Sequence, residues 1–323
     1  MPILNVTITR AINQDSLALL RAAAPDAEFV CTESADFAKF SAGLLARTDV
    51  LYSNGRVPEP QAAPRLRWVQ GHWAGVDHVI GAPLFAAGNV LLSTAAGVHA
   101  INMAEHALMM MLALAHRMPE FFDMMAKKRW RREAQPYMPM ELHDASLGLI
   151  GYGAIGREIA RMAQALGMRV SALRRSPSAE TQDGVGFYPR ERLHEMLGQS
   201  DFVVVATPLT PDTRHMLDAR ALAAMKTGAY LVNIGRGAVI DEAALIEALR
   251  AGPVAGAALD VFEVEPLPAD SALWTMSNLI LSPHVSGITP RYEQRVMAIF
   301  ADNLRRFQDG HPLLNQVDFT RGY

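Results

Sequence analysis

"GLIGYGAIGREIA", residues 148–160, decides how the rest of the chain is read. An apolar run leads into Gly151, Gly153 and Gly156, and a run with helical spacing leaves them. Each glycine meets a different demand in such a unit: a tight turn, close approach of backbone to a pyrophosphate, and close packing of helix on strand. The helix opening at Ala154 and Ile155 turns unpaired N–H groups and the positive end of its dipole toward that phosphate. A bare G-x-G-x-x-G says little. Followed by a helix and then a further strand, "MRVSAL" (168–173), it predicts a dinucleotide-binding unit.

Downstream, "DFVVVATP" (201–208), "AYLVNIG" (229–235), "VAGAALDVF" (254–262) and "NLILSPH" (278–284) are near-continuous runs of Val, Ile, Leu and Ala. Parallel strands covered on both faces require such runs. Upstream, "ILNVTI" (3–8), "AEFVC" (27–31), "DVLYS" (49–53), "LRWVQG" (66–71), "VIG" (79–81) and "NVLLST" (89–94) alternate with turns and helix-like segments such as "DSLALLRAA" (15–23). A helical stretch from Asn102 to about Arg132, broken near Pro119, joins the two series. "TPRYEQRVMAIFADNLRRFQDG" (289–310) reads as an amphipathic C-terminal helix. The expected fold class is α/β, with two doubly wound parallel sheets of Rossmann-like or flavodoxin-like type and a cleft between them.

The bulk numbers agree with this and exclude other classes. At 323 residues the chain has room for two domains, and 50% hydrophobic with 20% charged residues is a globular balance. A formal net charge of −3 offers no attraction to nucleic acid or to an anionic membrane surface, so neither is expected as a partner. The single cysteine, Cys31, precludes an intrachain disulfide and suits a reducing compartment. "MPILNVTITR" (1–10) reads as a strand and not as a signal peptide, and "ALMMMLALA" (107–115) is too short to span a bilayer. A soluble cytoplasmic protein is expected.

"SALRRS" (171–176) bears on the cofactor. Arg174 falls eighteen residues after Gly156, at the end of the second strand of the unit. An acidic residue there accepts hydrogen bonds from the adenosine ribose and repels a 2′-phosphate. Arginine does the reverse, its planar fork matching phosphate oxygens. Arg174 and Arg175, with Ser176 adding a hydroxyl, predict that NADP(H) is preferred over NAD(H).

Three charged residues follow apolar strands, at the edge where open α/β sheets bind ligands: Arg236 in "LVNIGRGAVIDE", Glu265 in "ALDVFEVEPLP" and His284 in "ILSPHVSG". Reduction of a 2-keto acid needs a cation for the carboxylate, a proton for the carbonyl oxygen and a hydride. Arginine meets the first need by bidentate pairing. Histidine meets the second, because it titrates near neutrality, and a neighbouring carboxylate favours its protonated form.

These stretches also carry a family likeness. "LIGYGAIG" (149–156), "TPLTPDTRHML" (207–217), "MKTGAYLVNIGRGAVIDEAAL" (225–245), "GAALDVFEVEPLP" (256–268), "LWTMSNLILSPHVSG" (273–287), "WAGVDH" (73–78) and "MAEHALMMMLAL" (103–114) resemble the D-isomer-specific 2-hydroxyacid dehydrogenases over nearly the whole chain. The resemblance implies that Arg236 binds substrate and that Glu265 and His284 form the acid–base pair. It implies that backbone N–H groups at Ala74 and Gly75 hold the substrate carboxylate, with Trp73 beside them, and that Asp260 contacts the nicotinamide carboxamide. It extends the cofactor site to Thr207, Pro208, Ile234 and Gly287. It implies a discontinuous substrate domain, 1–98 plus 287–323, an NAD(P)-binding Rossmann domain, 99–286, and a homodimer. The paired arginines and the ending "NQVDFTRGY" (315–323) resemble the glyoxylate/hydroxypyruvate reductase A group, which implies NADPH and small 2-keto acids. After "SPHV", Ser286-Gly287-Ile288 departs from the small alanines common in relatives.

Other readings are weaker. Oxidation of another D-2-hydroxy acid stays open, although the absence of a regulatory tail after Tyr323 speaks against phosphoglycerate oxidation. Glu265 speaks against formate dehydrogenation, whose enzymes of this fold pair the histidine with glutamine. A nucleotide-sensing corepressor-like scaffold would keep the same triad, but no basic face accompanies it. His72, His78, His99 and His106 lack zinc spacing, so no metal is expected. His106 reads as a packed helix residue, "KKRWRRE" (127–133) as a solvated helix end in which Trp130 contacts a partner subunit or lines a pocket, and the methionines of 103–125 as core and dimer filling.

Overall fold

The computed structural model describes residues 3–32, 34, 36–41, 43–76, 78–130, 138–174 and 181–320. Strands β1 (Asn5–Ile8), β2 (Glu28–Cys31), β3 (Val50–Ser53), β4 (Trp68–Gly71) and β5 (Leu91–Ser93) belong to one sheet. Strands β6 (Ser146–Ile150), β7 (Arg169–Leu173), β8 (Thr181–Gln182), β9 (Val185–Tyr188), β10 (Phe202–Val205), β11 (Ala229–Asn233), β12 (Val254–Leu259) and β13 (Leu279–Leu281) belong to another. The helices are α1 (Gln14–Ala23), α2 (Leu44–Arg47), α3 (Ala100–Ala115), α4 (Met118–Ala126), α5 (Ala154–Ala165), α6 (Leu193–Gln199), α7 (Ala219–Ala223), α8 (Glu242–Ala251) and α9 (Tyr292–Gln308). The chain divides into two units, 1–98 with 289–323, and 99–288.

In the first unit the strand order is β2-β1-β3-β4-β5, parallel throughout. α9 packs beside α1 and sends Val296, Met297, Phe300 and Leu304 into a core with Tyr52 and Trp68, all of them buried. A polar seam crosses this core without leaving groups unpaired. The Trp68 indole donates to Ser93 Oγ, Ser93 donates to Gln70 Oε1, and Asn303 Nδ2 donates to the same Oε1, at 2.8, 2.8 and 3.0 Å. The expected strand at 79–81 is instead a turn: the Val79 and Ile80 amides both donate to Val76 O, at 2.9 and 3.0 Å. Val79 is buried there, so its apolar character reflects core contact and not sheet pairing.

In the second unit the order is β13-β12-β11-β10-β6-β7-β9-β8, with the reversal between β6 and β10 that places a crevice at the carboxyl ends of those strands. Only the short β8 runs antiparallel among these strands. It joins β9 through Asp183 and Gly184, at φ +53° and +74°, the two positive values of a type I′ hairpin turn. α3 and α5 pack on the sheet, and Ala104, Ala107, Met110, Met111, Leu114 and Ala115 of α3 are buried against Leu147, Leu149 and Ile159. The helical break precedes the expected proline. It falls at His116 and Arg117, the latter at φ +50°, and Pro119 lies in the first turn of α4, where its missing N–H costs nothing. Among the described residues no helix is long and apolar enough to cross a membrane.

Candidate active site

β6 ends at Ile150 and α5 starts at Ala154, so the glycine turn is the whole connection. Gly151 stands at φ +106°, and a Cβ there would meet Ala206 O at 2.7 Å, so only glycine is accommodated. A Cβ on Gly156 would meet Gly151 O at 2.2 Å, which holds α5 tight against the turn. Gly153 differs: nothing in the protein lies within 4 Å of where its Cβ would stand. That open space, beside the first-turn amides of α5, fits the pyrophosphate of a dinucleotide. Thr207 and Pro208 follow β10, and a Cβ on Gly235 would meet Thr207 O at 2.8 Å. Ile234, buried after β11, donates its amide to Val205 O at 3.1 Å.

Arg174 leaves β7 with its amide on Tyr188 O at 3.0 Å and its guanidinium over a ring, 5.1 Å from the centroid of Phe187. The ring thus steadies the cation beside the sheet edge. Arg175 and Ser176 lie outside the described residues.

The structure brings Glu265 and His284 together. Glu265 Oε1 accepts the Phe262 amide at 3.0 Å, and Oε2 is 2.7 Å from His284 Nδ1. A carboxylate accepts, so Nδ1 carries the hydrogen of this bond and Nε2 is the nitrogen left for chemistry. The side chains are 49% and 35% exposed, within reach of a ligand. His284 stands at φ +54°, unusual for a residue with a Cβ. Arg236 follows β11 in extended backbone, its carbonyl taken by Asn233 Nδ2 at 3.1 Å and its Nη1 donating to Gly235 O at 2.9 Å. The next residue, Gly237, is jammed against the loop that carries Glu265: a Cβ would come within 1.9 Å of the Phe262 carbonyl carbon.

Asp260, at the end of β12, is fully buried. Its Oδ1 accepts Ser282 Oγ–H at 2.6 Å and the Val285 amide at 2.9 Å, and Oδ2 accepts the Ser286 amide at 2.9 Å. Burial alone would raise its pKa, but the donors from Ser282, Ser286 and Val285 together outweigh it and hold the carboxyl below its usual range. Gly287 O lies 2.7 Å from His99 Nδ1. Ser282, His106 and Phe187 were not expected at the site; their contacts join distant segments, and no local spacing announces them.

In the first unit Trp73, Ala74 and Gly75 follow β4. Among the described residues neither the Ala74 nor the Gly75 amide donates to another protein group, and Gly75 is exposed. Trp73 is half-buried, its ring edge-on to His78 with centroids 4.8 Å apart, and it lies so close over Gly71 that a Cβ there would meet Cε2 at 2.8 Å. It underpins the loop from below. Behind it, Arg10 Nη1 is 2.6 Å from His72 Nε2, and Tyr52 Oη is 2.5 Å from His72 Nδ1. Arginine only donates, so the ring accepts from it; the same Nη1 is 3.3 Å from Nδ1. Burial pushes the Tyr52 phenol up and that of Tyr292 up to about 12.

The profile described as "D-isomer specific 2-hydroxyacid dehydrogenase, NAD binding domain" matches residues 108–286. The chain belongs to this family. As a D-isomer-specific 2-hydroxyacid dehydrogenase it is an oxidoreductase, and its second unit is a pyridine-nucleotide-binding domain. Among its relatives, the glyoxylate reductase of Thermococcus gammatolerans is 37% identical over 263 residues, covering 77% of this chain and 75% of that protein. A D-isomer-specific 2-hydroxyacid dehydrogenase from Xanthobacter autotrophicus, solved with NADPH and MES, superposes with a TM-score of 0.83 at 32% identity, covering 99% of this dehydrogenase and 100% of that chain. The NADPH-dependent glyoxylate/hydroxypyruvate reductase of Sinorhizobium meliloti, solved with NADP and sulfate, gives 0.80 at 31% identity over 99% and 100%.

Proposed function

We propose that this dehydrogenase reduces small 2-keto acids of the glyoxylate/hydroxypyruvate kind to D-2-hydroxy acids, using NADPH in preference to NADH. The observation that carries the reading is the His284–Glu265 pair, 2.7 Å apart at the end of a nucleotide-binding sheet. Gly151, Gly153, Ala154, Ile155, Gly156, Thr207, Pro208, Ile234, Asp260 and Gly287 would hold the nicotinamide cofactor, which would supply the hydride that the carbonyl carbon needs. His284 gives the Nε2 proton to the carbonyl oxygen as that bond becomes a hydroxyl. Glu265 holds the Nδ1–H so that the ring keeps its aim and its charge is balanced. Arg236 and the Ala74 and Gly75 amides take the substrate carboxylate, with Trp73 bracing the loop.

NADPH preference rests on Arg174, steadied over Phe187, with Arg175 and Ser176 as further donors to the 2′-phosphate. The family members solved with NADPH or NADP are in keeping with it. Residues 1–98 with the C-terminal segment serve as the substrate domain. We read the exposed Met109, Phe122 and Met125, with Trp130 at 86% exposure, as a homodimer face, and sedimentation showing a monomer would refute that. A cytoplasmic location follows from the lone Cys31 and the demand for reduced nucleotide.

The deciding experiment follows NADPH oxidation over a panel of small 2-keto acids. Turnover of glyoxylate or hydroxypyruvate is expected, with a higher kcat/KM for NADPH than for NADH. No turnover of any member sinks the substrate reading; an NADH preference sinks the cofactor reading alone.

A further inference from the structure

His99, the residue before α3, and Asn102 and His106 within it are spaced i, i+3 and i+7, along one face of the helix. All three meet the segment after β13. His99 Nδ1 lies 2.7 Å from Gly287 O, Asn102 Nδ2 donates to Ser286 O at 2.6 Å, and His106 Nε2 is 3.2 Å from Ser282 Oγ. The first two contacts fix backbone carbonyls. The third reaches further.

Ser282 has one proton, and at 2.6 Å it gives that proton to Asp260 Oδ1. Toward the imidazole its oxygen therefore only accepts, and His106 Nε2 must carry a hydrogen. Donation runs one way, from His106 N–H to Ser282 O–H to the buried Asp260 carboxylate. His106 Nε2 is itself 3.9 Å from Asp260 Oδ1. The carboxylate collects the Val285 and Ser286 amides, and the Asp260 carbonyl takes the His284 amide at 2.9 Å. Every backbone donor from 284 to 286 thus reaches Asp260, the His284 amide sharing its hydrogen with Ser282 O at 3.1 Å. These are the bonds that keep His284 at φ +54°, a conformation a side chain resists unless its neighbours over-determine it.

We propose that His106, acting through Ser282, is a positioning residue for His284: it locks the Ser282 hydroxyl onto Asp260, and the locked carboxylate holds the 284–286 backbone that presents the imidazole to Glu265. This rests on the reading of His284 as proton donor. A residue that merely satisfies a polar core would, when removed, lower stability without changing the geometry of the loop.

The test combines His106→Leu, His106→Gln, Ser282→Ala and the double variant His106→Leu/Ser282→Ala. His106→Leu and Ser282→Ala are each expected to lower kcat about 10-fold while the keto-acid KM stays within about twofold, because orientation and not binding is lost. Gln restores a side-chain N–H and is expected to recover most of the rate. The double variant should be no slower than the slower single one, since both remove the same link. Independently of activity, amide hydrogen exchange at Val285 and Ser286 should accelerate in the Leu and Ala variants and not in the Gln variant. Unchanged exchange in His106→Leu overturns the proposal, as does a double variant whose loss is the product of the single losses. Should the Leu variant fail to fold, Ser282→Ala against Ser282→Thr, which keeps the hydroxyl, decides by the same exchange readout. If the unmodified protein reduces no keto acid, the functional reading falls, while exchange still judges the linkage.

Discussion

Beyond β12 and β13 the second unit sets out Glu265 and His284 with a third to a half of each side chain exposed, whereas at the ends of β1, β3 and β4 the first unit ties Arg10, Tyr52 and His72 to one another and leaves the Ala74 and Gly75 amides without an acceptor among the described residues. Both are carboxyl edges of parallel sheets. In one, side chains are held ready by a buried acceptor, Asp260, that gathers the loop amides. In the other, the polar side chains are consumed in bracing a loop, and what faces outward is peptide. The same kind of edge can thus offer either reactive groups or a fixed set of N–H donors, depending on whether its side chains are spent inward.

If that contrast is right, truncating side chains should damage turnover in the second unit and stability in the first. The largest effect is expected from His284→Ala: kcat should fall by about 10²- to 10⁴-fold, the range for losing a positioned acid, with NADPH affinity barely changed. Near-normal turnover would remove His284 from the chemistry. Next comes Arg236→Lys, which keeps charge but loses the fork. Steady-state kinetics should show the keto-acid KM rising about 10-fold or more. Arg10→Met should act differently, removing its contacts to His72 and Glu293 and costing about 1–3 kcal/mol in denaturant titrations, with kcat within a few-fold. A collapse of kcat there would erase the contrast.

A pH measurement sharpens it further. The Asp260 pKa is depressed in the folded protein, so its contribution to stability is complete above the ordinary carboxylate pKa and is lost as pH falls through the lower folded value. Asp260→Asn should therefore flatten the acid limb of the stability curve, seen by thermal melts across acidic pH. Smallest of all, Ala74→Ser leaves the peptide N–H intact and should move kcat/KM by no more than about twofold.

The sequence was most readable where backbone stereochemistry admits one residue type. Gly151, with its positive φ and no room for a Cβ, is such a position, and the strands around it carry the unbroken apolar runs of a covered parallel sheet. Arg236, Glu265 and His284 were visible for a related reason: each ends an apolar run, so chain order alone puts it at a sheet edge. Less was visible where the pattern had two meanings. Val79 and Ile80 are apolar because a turn packs on the core, and periodicity over three residues cannot separate that from a strand. The β8–β9 hairpin passed unread although Asp183-Gly184 is its signal, the flanking strands being too short to alternate convincingly. The Asp260 network was invisible, because His106, Ser282 and Asp260 are brought together only by the packing of α3 on the sheet. Arg175 and Ser176, on which the cofactor reading partly leans, lie outside the described residues.

The contact between Gly237 and the Phe262 carbonyl has a bearing on how this enzyme can be remade. The segment carrying Arg236 and the segment carrying Glu265 share one wall, with no slack for a methyl group. A library that varies residues 236–238 while freezing 262–265 therefore explores mostly broken proteins, because every change of shape on one side is imposed on the other. For substrate engineering the two segments are a single variable, to be randomised together or left alone.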